Sequence, residues 1–215
     1  MTKIFRSLRP TTLLVYGIIL MVLLCTVAFA KEELKIGMDA PDFALKDAED
    51  KDYRLKEMRG DVVILIMGNS KTRKETDKWA KAIKKDYSKY EKPPSERKKQ
   101  PALECREGLK IFIIADMRGV PRFVPKGFIK GWLKMNKPPA TLLLDWDGKT
   151  HIAYKPNSCE FGYTQKREAI VFIISKVGKI AYRINANYDE ETYKKVKVEI
   201  KRTLAESSNQ RKSET

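Results

Sequence analysis

The stretch Val62-Val63-Ile64-Leu65-Ile66-Met67-Gly68-Asn69-Ser70-Lys71-Thr72-Arg73-Lys74-Glu75 decides the fold of this chain. Its first six residues are all apolar and rich in β-branched side chains, a pattern typical of a strand buried on both faces. Thr72 and Glu75 then match the capping-box pattern, which predicts that a helix begins here. The stretch therefore predicts a buried strand that turns directly into a helix.

The helix predicted after this turn has two different faces. One face is an apolar stripe at helical spacing, made by Thr76, Trp79, Ala80, Ala82, Ile83, Tyr87 and Tyr90. The other face carries Lys74, Lys78, Lys81, Lys85 and Lys89. This pattern favours a stripe that packs on the core and a basic face in solvent. A basic docking face for an acidic partner is the alternative interpretation.

The segments around this unit alternate apolar runs with turns. A small hairpin is predicted over 37–60, with turn residues Asp47, Asp50 and Asp52. The later elements are predicted as a buried strand over 109–116, a helix over 120–136, strand–turn–strand units over 141–149 and 171–179, and a basic helix over 189–204. Pro125 and Gly127 are placed to divide the first of these helices, whose apolar side is predicted as Phe128, Ile129, Trp132 and Leu133.

Two motifs connect this order of elements to a known family. The chain has Ala-Pro-Asp-Phe-Ala-Leu at 40–45 and Leu-Leu-Asp-Trp-Asp-Gly at 143–148. Over 36–204 it resembles peroxiredoxin-like proteins of the alkyl hydroperoxide reductase and thiol-specific antioxidant type, and small periplasmic thioredoxin-like proteins of unassigned function. The resemblance implies an α/β fold, a thioredoxin-like three-layer sandwich with a central mixed sheet and an N-terminal β-hairpin.

The same resemblance implies a site at which this chain lacks the usual residue. The family places a low-pKa cysteine at the start of the first helix, and the matching positions here are Asn69, Ser70 and Thr72. A hydroxyl group is too weakly acidic to replace a thiolate without a positioned base. The lone histidine, His151, is predicted to be structural or solvated. Pro139 is either the counterpart of the family's substrate-facing proline or a simple strand entry.

The sequence has three cysteines, of which Cys105 and Cys159 lie beyond the N-terminal apolar segment. An even count in an oxidising compartment makes a disulfide between them plausible. The interpretations left open are a structural disulfide, two unpaired thiols, or a displaced redox pair. Neither cysteine belongs to a Cys-x-x-Cys motif.

Residues 1–30 predict export. Lys3, Arg6 and Arg9 precede an uncharged, mostly apolar run that ends at Ala28-Phe29-Ala30. This is the pattern of a signal peptide, with an uncleaved N-terminal anchor as the alternative. Both place the body of the chain, 31–204, outside the cytoplasmic membrane, in the periplasm or an equivalent compartment. Residues 91–108 predict a charged, proline-containing loop, and 205–215 a disordered polar tail.

The net charge and the motifs limit the kinds of partner and ligand that can be expected. The chain has 44 Lys and Arg against 28 Asp and Glu, a formal charge of +16. This excess favours an acidic exported protein, a peptide or an anionic membrane surface, while export argues against nucleic acid. Asp145 and Asp147 are interpreted as turn formers rather than metal ligands. No metal and no cofactor are predicted, and the oligomeric state is not indicated.

Two functions follow from these observations. The first is an exported thioredoxin-fold protein without the usual catalytic thiol, acting as a non-catalytic binding or accessory module. The second is a thiol-disulfide oxidoreductase or antioxidant protein that uses Cys105 and Cys159 as a relocated redox pair.

Overall fold

The computed structural model describes residues 34–90, 108–154 and 168–210. These residues form seven strands: β1 (Ala44–Lys46), β2 (Asp52–Arg54), β3 (Asp61–Gly68), β4 (Gly108–Asp116), β5 (Thr141–Asp145), β6 (Ala169–Ile174) and β7 (Ile180–Ala186). The same residues form four α-helices: α1 (Arg73–Tyr87), α2 (Lys126–Met135), α3 (Lys149–Tyr154) and α4 (Glu190–Gln210). Short 3-10 helices occupy Leu55–Met58 and Ser88–Tyr90.

The seven strands form one mixed sheet in the order β2-β1-β5-β4-β3-β6-β7. The central strands β3, β4 and β5 run parallel, whereas β6 and β7 on one side and β1 and β2 on the other pair antiparallel. β3 lies between β4 and β6, and every residue from Asp61 to Met67 is buried. The mixed sheet, the buried β3 and the N-terminal hairpin confirm the sequence-based predictions.

Each face of the sheet has its own core because strand side chains alternate between faces. Val62, Ile64 and Ile66 pack with the α1 and α4 side chains on one face, where Trp79 is fully buried. The indole nitrogen of Trp79 donates a hydrogen bond to the backbone oxygen of Ala186 at 3.1 Å. The other core packs Val63, Leu65 and Met67 with Phe43, Leu45, Leu55, Met58, Tyr154 and Phe172. The sheet is therefore the middle layer of a three-layer sandwich.

Three elements differ from their predicted form. The unit over 141–149 is a strand followed by α3, not a strand–turn–strand, because the Asp145 carboxylate accepts the backbone N–H of His151 at 2.8 Å and holds a helical turn. The helix predicted over 120–136 begins only after Pro125, and its Phe128 side chain is 70% exposed rather than part of a packed apolar side. α4 continues to Gln210, past the predicted end at Leu204.

Several predictions lie outside the described residues. They concern the signal segment 1–30, Cys105, Cys159, the tail from 211 onward, and the loop over 91–108 except Gly108, which begins β4. None of the helices in the described part combines the length and apolar character needed to cross a bilayer.

Candidate functional site

The turn from β3 to α1 is held by hydrogen bonds between Asn69 and Thr72. The Thr72 hydroxyl accepts the backbone N–H of Asn69 at 2.8 Å. The side-chain oxygen of Asn69 accepts the backbone N–H groups of Lys71, at 2.8 Å, and of Thr72, at 3.2 Å. The helix begins where the capping-box pattern predicts, at Arg73 with Thr72 as its N-cap residue, but the reciprocal bonds of a capping box are absent: Thr72 makes no side-chain cap bond, and Glu75 accepts the backbone N–H of Tyr188 at 3.0 Å. The polar groups of this turn therefore stabilise the turn itself.

Gly68 allows this turn to close tightly. A Cβ atom at position 68 would lie 2.4 Å from the Thr72 hydroxyl oxygen and 2.5 Å from the Thr76 methyl carbon. Neither distance is compatible with ordinary van der Waals contact. Because Thr72 is buried and its hydroxyl is hydrogen-bonded, it cannot easily move aside. The glycine before the turn is thus required by the close approach of strand and helix.

An open, largely apolar cavity of about 1010 Å³ adjoins the turn, and we call it the α1–α2 groove. Gly68, Asn69 and Ser70 line one end, beside Ala115, the register partner of Gly68 on β4. Its apolar lining is supplied mainly by Ile113, Val120, Val124, Ile129, Leu133 and Leu142. The groove exists because α2 covers its part of the sheet only through residues such as Leu133, which leaves space between α1 and α2. Its size and lining suit an apolar ligand.

A cation–π contact links the two helices at the rim of the groove. The Arg73 guanidinium carbon lies 4.3 Å from the centroid of the Trp132 ring, and its Nε lies 3.8 Å from a carboxylate oxygen of Asp77. Burial raises the pKa of Asp77 above its ordinary value, although the charges of Arg73 and Lys81 oppose this shift. The rim therefore offers an aromatic ring and a guanidinium beside apolar walls, which together can hold an amphipathic segment.

A second charged pair lies at the end of β4. Arg118 donates side-chain hydrogen bonds to Asp116 at 2.6 to 3.2 Å, and its backbone N–H donates to the same carboxylate at 3.0 Å. Burial would raise the pKa of Asp116, but the hydrogen bonds from Arg118 and the nearby positive charge outweigh it and hold this pKa below 3.8. Both residues line the groove.

Asp145 and His151 form a buried pair beside Asp116, the register partner of Asp145 on β4. One Asp145 oxygen lies 2.8 Å from Nδ1 of His151 and accepts the His151 backbone N–H. The pair is almost inaccessible, with 0% of Asp145 and 5% of His151 exposed. Within the described residues, the other Asp145 oxygen and Nε2 of His151 have no hydrogen-bond partner. Asp145 thus holds α3 against β5, whereas Asp147 is exposed and pairs with Lys149 at 2.7 Å.

The predicted site residues occupy different places. Asn69 and Ser70 line the groove, whereas Thr72 is buried behind them. Pro139 lies just before β5, at the end of that strand that is farther from the β3–α1 turn, because the first residue of β5, Thr141, pairs with Phe112 in the middle of β4. The groove is lined by Pro138 and not by Pro139. The strand that begins beside the turn is β6, whose Ile170 pairs with Met67. The residue that precedes β6 is Glu168, not a proline.

Cys105 and Cys159 lie outside the described residues, but the strands that follow them are described. β4 begins at Gly108, which pairs with Asp61 at the start of β3. β6 begins at Ala169, beside the end of β3. These two strand starts lie beside opposite ends of β3. The described part holds no group of three His, Cys, Asp or Glu side chains that could ligate a metal ion.

Sequence reasoning missed the groove residues on β4 and α2. Trp132 was interpreted as a core residue, yet it is 39% exposed and contacts Arg73. Asp116 and Arg118 were not singled out, although an acidic residue at the end of a buried strand followed by a basic one is a detectable signal. The pairing of Asp145 with His151 was also missed, because it depends on α3.

The architecture places this chain among proteins of thioredoxin-like fold. It aligns with a candidate thiol:disulfide interchange protein DsbE from Chlorobium tepidum, with a TM-score of 0.55, 17% identity, and coverage of 80% of this chain and 99% of the other. A candidate protein disulfide isomerase from Bacteroides thetaiotaomicron gives a TM-score of 0.54 and 22% identity over 83% of this chain and 95% of the other. These identities establish the fold alone.

One sequence relative adds to the structural comparison. The thiol-disulfide oxidoreductase ResA of Bacillus cereus (strain ZK / E33L) is 28% identical over 153 residues, which cover 63% of this chain and 84% of the relative. No family model matches the chain. The comparisons therefore give a thioredoxin-like fold with neighbours named for thiol-disulfide exchange.

Proposed function

We propose that this protein is an exported, non-catalytic binding module that holds an extended apolar and acidic segment of a partner polypeptide in the α1–α2 groove. The observation that carries the proposal is the groove beside a β3–α1 turn that has no thiol. The turn's own side chains, Asn69 and Thr72, are hydrogen-bonded to each other's backbone. A scaffold of this kind keeps a binding surface without the nucleophile for thiol exchange.

The groove is suited to apolar side chains. Its walls include six aliphatic residues, and burying one leucine-sized side chain contributes about 1.5–3 kcal/mol. The rim pair of Arg73 and Trp132 lies where the backbone or an acidic side chain of the ligand would cross from solvent into the groove. The formal charge of +16 favours acidic ligands through long-range attraction.

Export supports the same proposal. Residues 1–30 have the pattern of a signal peptide or an anchor, so the ligand is a protein or peptide outside the cytoplasmic membrane. Nucleic acid is not expected as a partner there. The proposal needs no cofactor and no metal.

The test is binding of a labelled octapeptide of alternating Glu and Leu residues, measured by fluorescence anisotropy. Ala115 is half-buried and lines the groove, so Ala115→Phe fills part of it without removing a core side chain. We expect this variant to weaken binding about tenfold or more. Ala44→Phe is the matched control, since Ala44 is exposed on β1 away from the groove.

Two results would overturn groove binding. One is equal affinity of the Ala115→Phe and Ala44→Phe variants for the peptide. The other is absence of measurable binding by the unmodified protein. A peptide with Lys in place of Glu separates the charge preference, because it should bind more weakly if the basic field contributes.

The second candidate function is thiol-disulfide exchange by Cys105 and Cys159. It is favoured by the ResA relative, whose name states that activity. In this case the two cysteines would carry a dithiol or a disulfide, and electrons would pass between them and a dithiol or disulfide of the partner protein. Single Cys105→Ser and Cys159→Ser variants test it, because each would abolish turnover.

A further inference from the structure

The surface of α2 and the turn before it differs in composition from the other residues that the structure describes. From Met117 to Leu144 there is no acidic residue, while six basic residues occur: Arg118, Arg122, Lys126, Lys130, Lys134 and Lys137. Four large apolar side chains of this segment are exposed: Phe123 at 86%, Met135 at 77%, Phe128 at 70% and Trp132 at 39%. Basic and exposed apolar residues thus share one continuous segment.

The helical geometry explains why these apolar side chains are not buried. At 100° per residue, Ile129 and Leu133 lie on the side that faces the groove and the sheet. Phe128 and Met135 lie on a neighbouring side that no described element covers. Lys126, Lys130 and Lys134 fall within an arc of about 80°, on the opposite side of the inward face from Phe128 and Met135. The apolar arc of α2 is therefore wider than the contact that the domain provides.

From this arrangement we infer that α2 and its preceding turn dock on an anionic lipid bilayer, with Phe123, Phe128 and Met135 entering the interfacial region. Interfacial helices combine exposed aromatic and aliphatic residues on one face with lysines on another, as this helix does. Each basic residue near an anionic surface adds to the attraction; the segment itself contains no acidic residue, and Asp50 of the β1–β2 hairpin offsets the charge of Lys130.

The cations of the segment are available to lipid headgroups in different degrees. Lys130 is paired with Asp50, and the Lys126 ammonium lies 4.9 Å from the centroid of the Trp146 ring. Lys134 and Lys137 are exposed and form no ion pair within the described residues, although the charge of Lys134 acts on Asp50 at longer range. These two lysines are therefore the ones to change in a test. An acidic protein would be attracted by the same charges, but it would not require exposed Phe128 and Met135.

This inference does not rest on peptide binding, because Phe128 and Met135 do not line the α1–α2 groove. Trp132 serves as the reporter in a Trp146→Phe background, since Trp146 is half-buried beside Lys126 and Trp79 is fully buried. The full chain is mixed with phosphatidylglycerol–phosphatidylcholine vesicles whose acyl chains carry bromine. We expect quenching of tryptophan fluorescence that disappears in the Trp132→Phe variant and decreases at high salt.

Matched pairs of variants separate the contribution of charge to vesicle binding from that of the exposed apolar side chains. Lys134→Glu/Lys137→Glu should weaken vesicle binding about tenfold or more, whereas Lys74→Glu/Lys81→Glu on the exposed face of α1 changes the charge equally and should have a smaller effect. Phe128→Ser/Met135→Ser should also weaken binding, with Val177→Ser/Val198→Ser as the control for loss of exposed apolar side chains.

Three outcomes would overturn the inference. The first is no quenching by brominated lipid that depends on Trp132. The second is equal loss of binding in the two charge-reversal variants. The third is binding of polyglutamate through Lys134 and Lys137 without vesicle binding, which would assign the surface to an acidic polypeptide instead.

Discussion

The hydroxyl oxygen of Thr72 lies 2.8 Å from the backbone nitrogen of Asn69 and accepts its hydrogen bond across the β3–α1 turn. This contact places a threonine side chain at the corner where the family resemblance implies a reactive thiol. It also fixes Thr72 in the space next to Gly68. The turn is thereby a packed structural element as well as one end of the groove.

The first prediction concerns Gly68. Gly68→Ala should lower the free energy of unfolding by about 1–3 kcal/mol, because the added methyl group would clash with Thr72 and Thr76. Gly131→Ala is the control within α2, where a Cβ atom meets nothing within 4 Å. It should stabilise the protein by about 0.5–1 kcal/mol through helix propensity. Urea unfolding measures both, and a neutral Gly68→Ala variant would contradict the tight turn.

The second prediction separates the two aspartates of the Asp-Trp-Asp-Gly turn. Asp145→Ala should destabilise the protein by about 2–4 kcal/mol, since it leaves the buried N–H of His151 without its acceptor. Asp147→Ala should change stability by less than about 1 kcal/mol, because its pair with Lys149 is exposed. Equal effects in thermal or urea unfolding would show that the buried pair does not hold α3 in place.

The third prediction is a pH dependence at Asp116. Its pKa is lowered in the folded protein, so the stabilisation by Arg118 is present above 3.8 and is lost as pH falls through the lowered value. The difference in unfolding free energy between the unmodified protein and Arg118→Gln should be about 0.5–1 kcal/mol at neutral pH and should shrink in acid. Arg122→Gln, an exposed neighbour, should show no such difference. A gap that widens in acid would contradict the direction of the shift.

The fourth prediction uses the two ends of α1. In a chain whose own cysteines are replaced by serine, Ser70→Cys should have a thiol pKa below the usual value of about 8.5, because the helix N-terminus favours the thiolate. Ser88→Cys at the C-terminal cap of the same helix should have the higher pKa. The pH dependence of iodoacetamide alkylation gives both values. Equal values or the reverse order would mean that the turn no longer provides an activating environment.

The sequence predicted those strands and helices whose residue pattern is compatible with only one kind of burial. Val62 to Met67 is apolar at every position, so burial on both faces of a central strand followed directly. The stripe through Trp79 and Ile83 likewise predicted the buried face of α1. The hairpin of β1 and β2 was predicted from its acidic turn.

Other features depend on which elements meet, and a local pattern does not contain that information. The same Gly-Lys ending follows β5 and β6, yet only β6 continues into a hairpin, since Asp145 supports α3 after the other. Helical periodicity placed Phe128 on an apolar side, but it could not show how much of α2 the sheet covers. The groove joins Gly68, Ile113 and Trp132, which are far apart along the chain.

Turnover of a disulfide substrate by the purified full chain, measured with a dithiol reductant, tests the central claim most directly. None of residues 68–72 in the β3–α1 turn is a cysteine, so we predict a rate indistinguishable from that of the variant with Cys105→Ser and Cys159→Ser. Robust turnover that vanishes in either single variant, Cys105→Ser or Cys159→Ser, would contradict a non-catalytic binding module and establish exchange by a relocated pair.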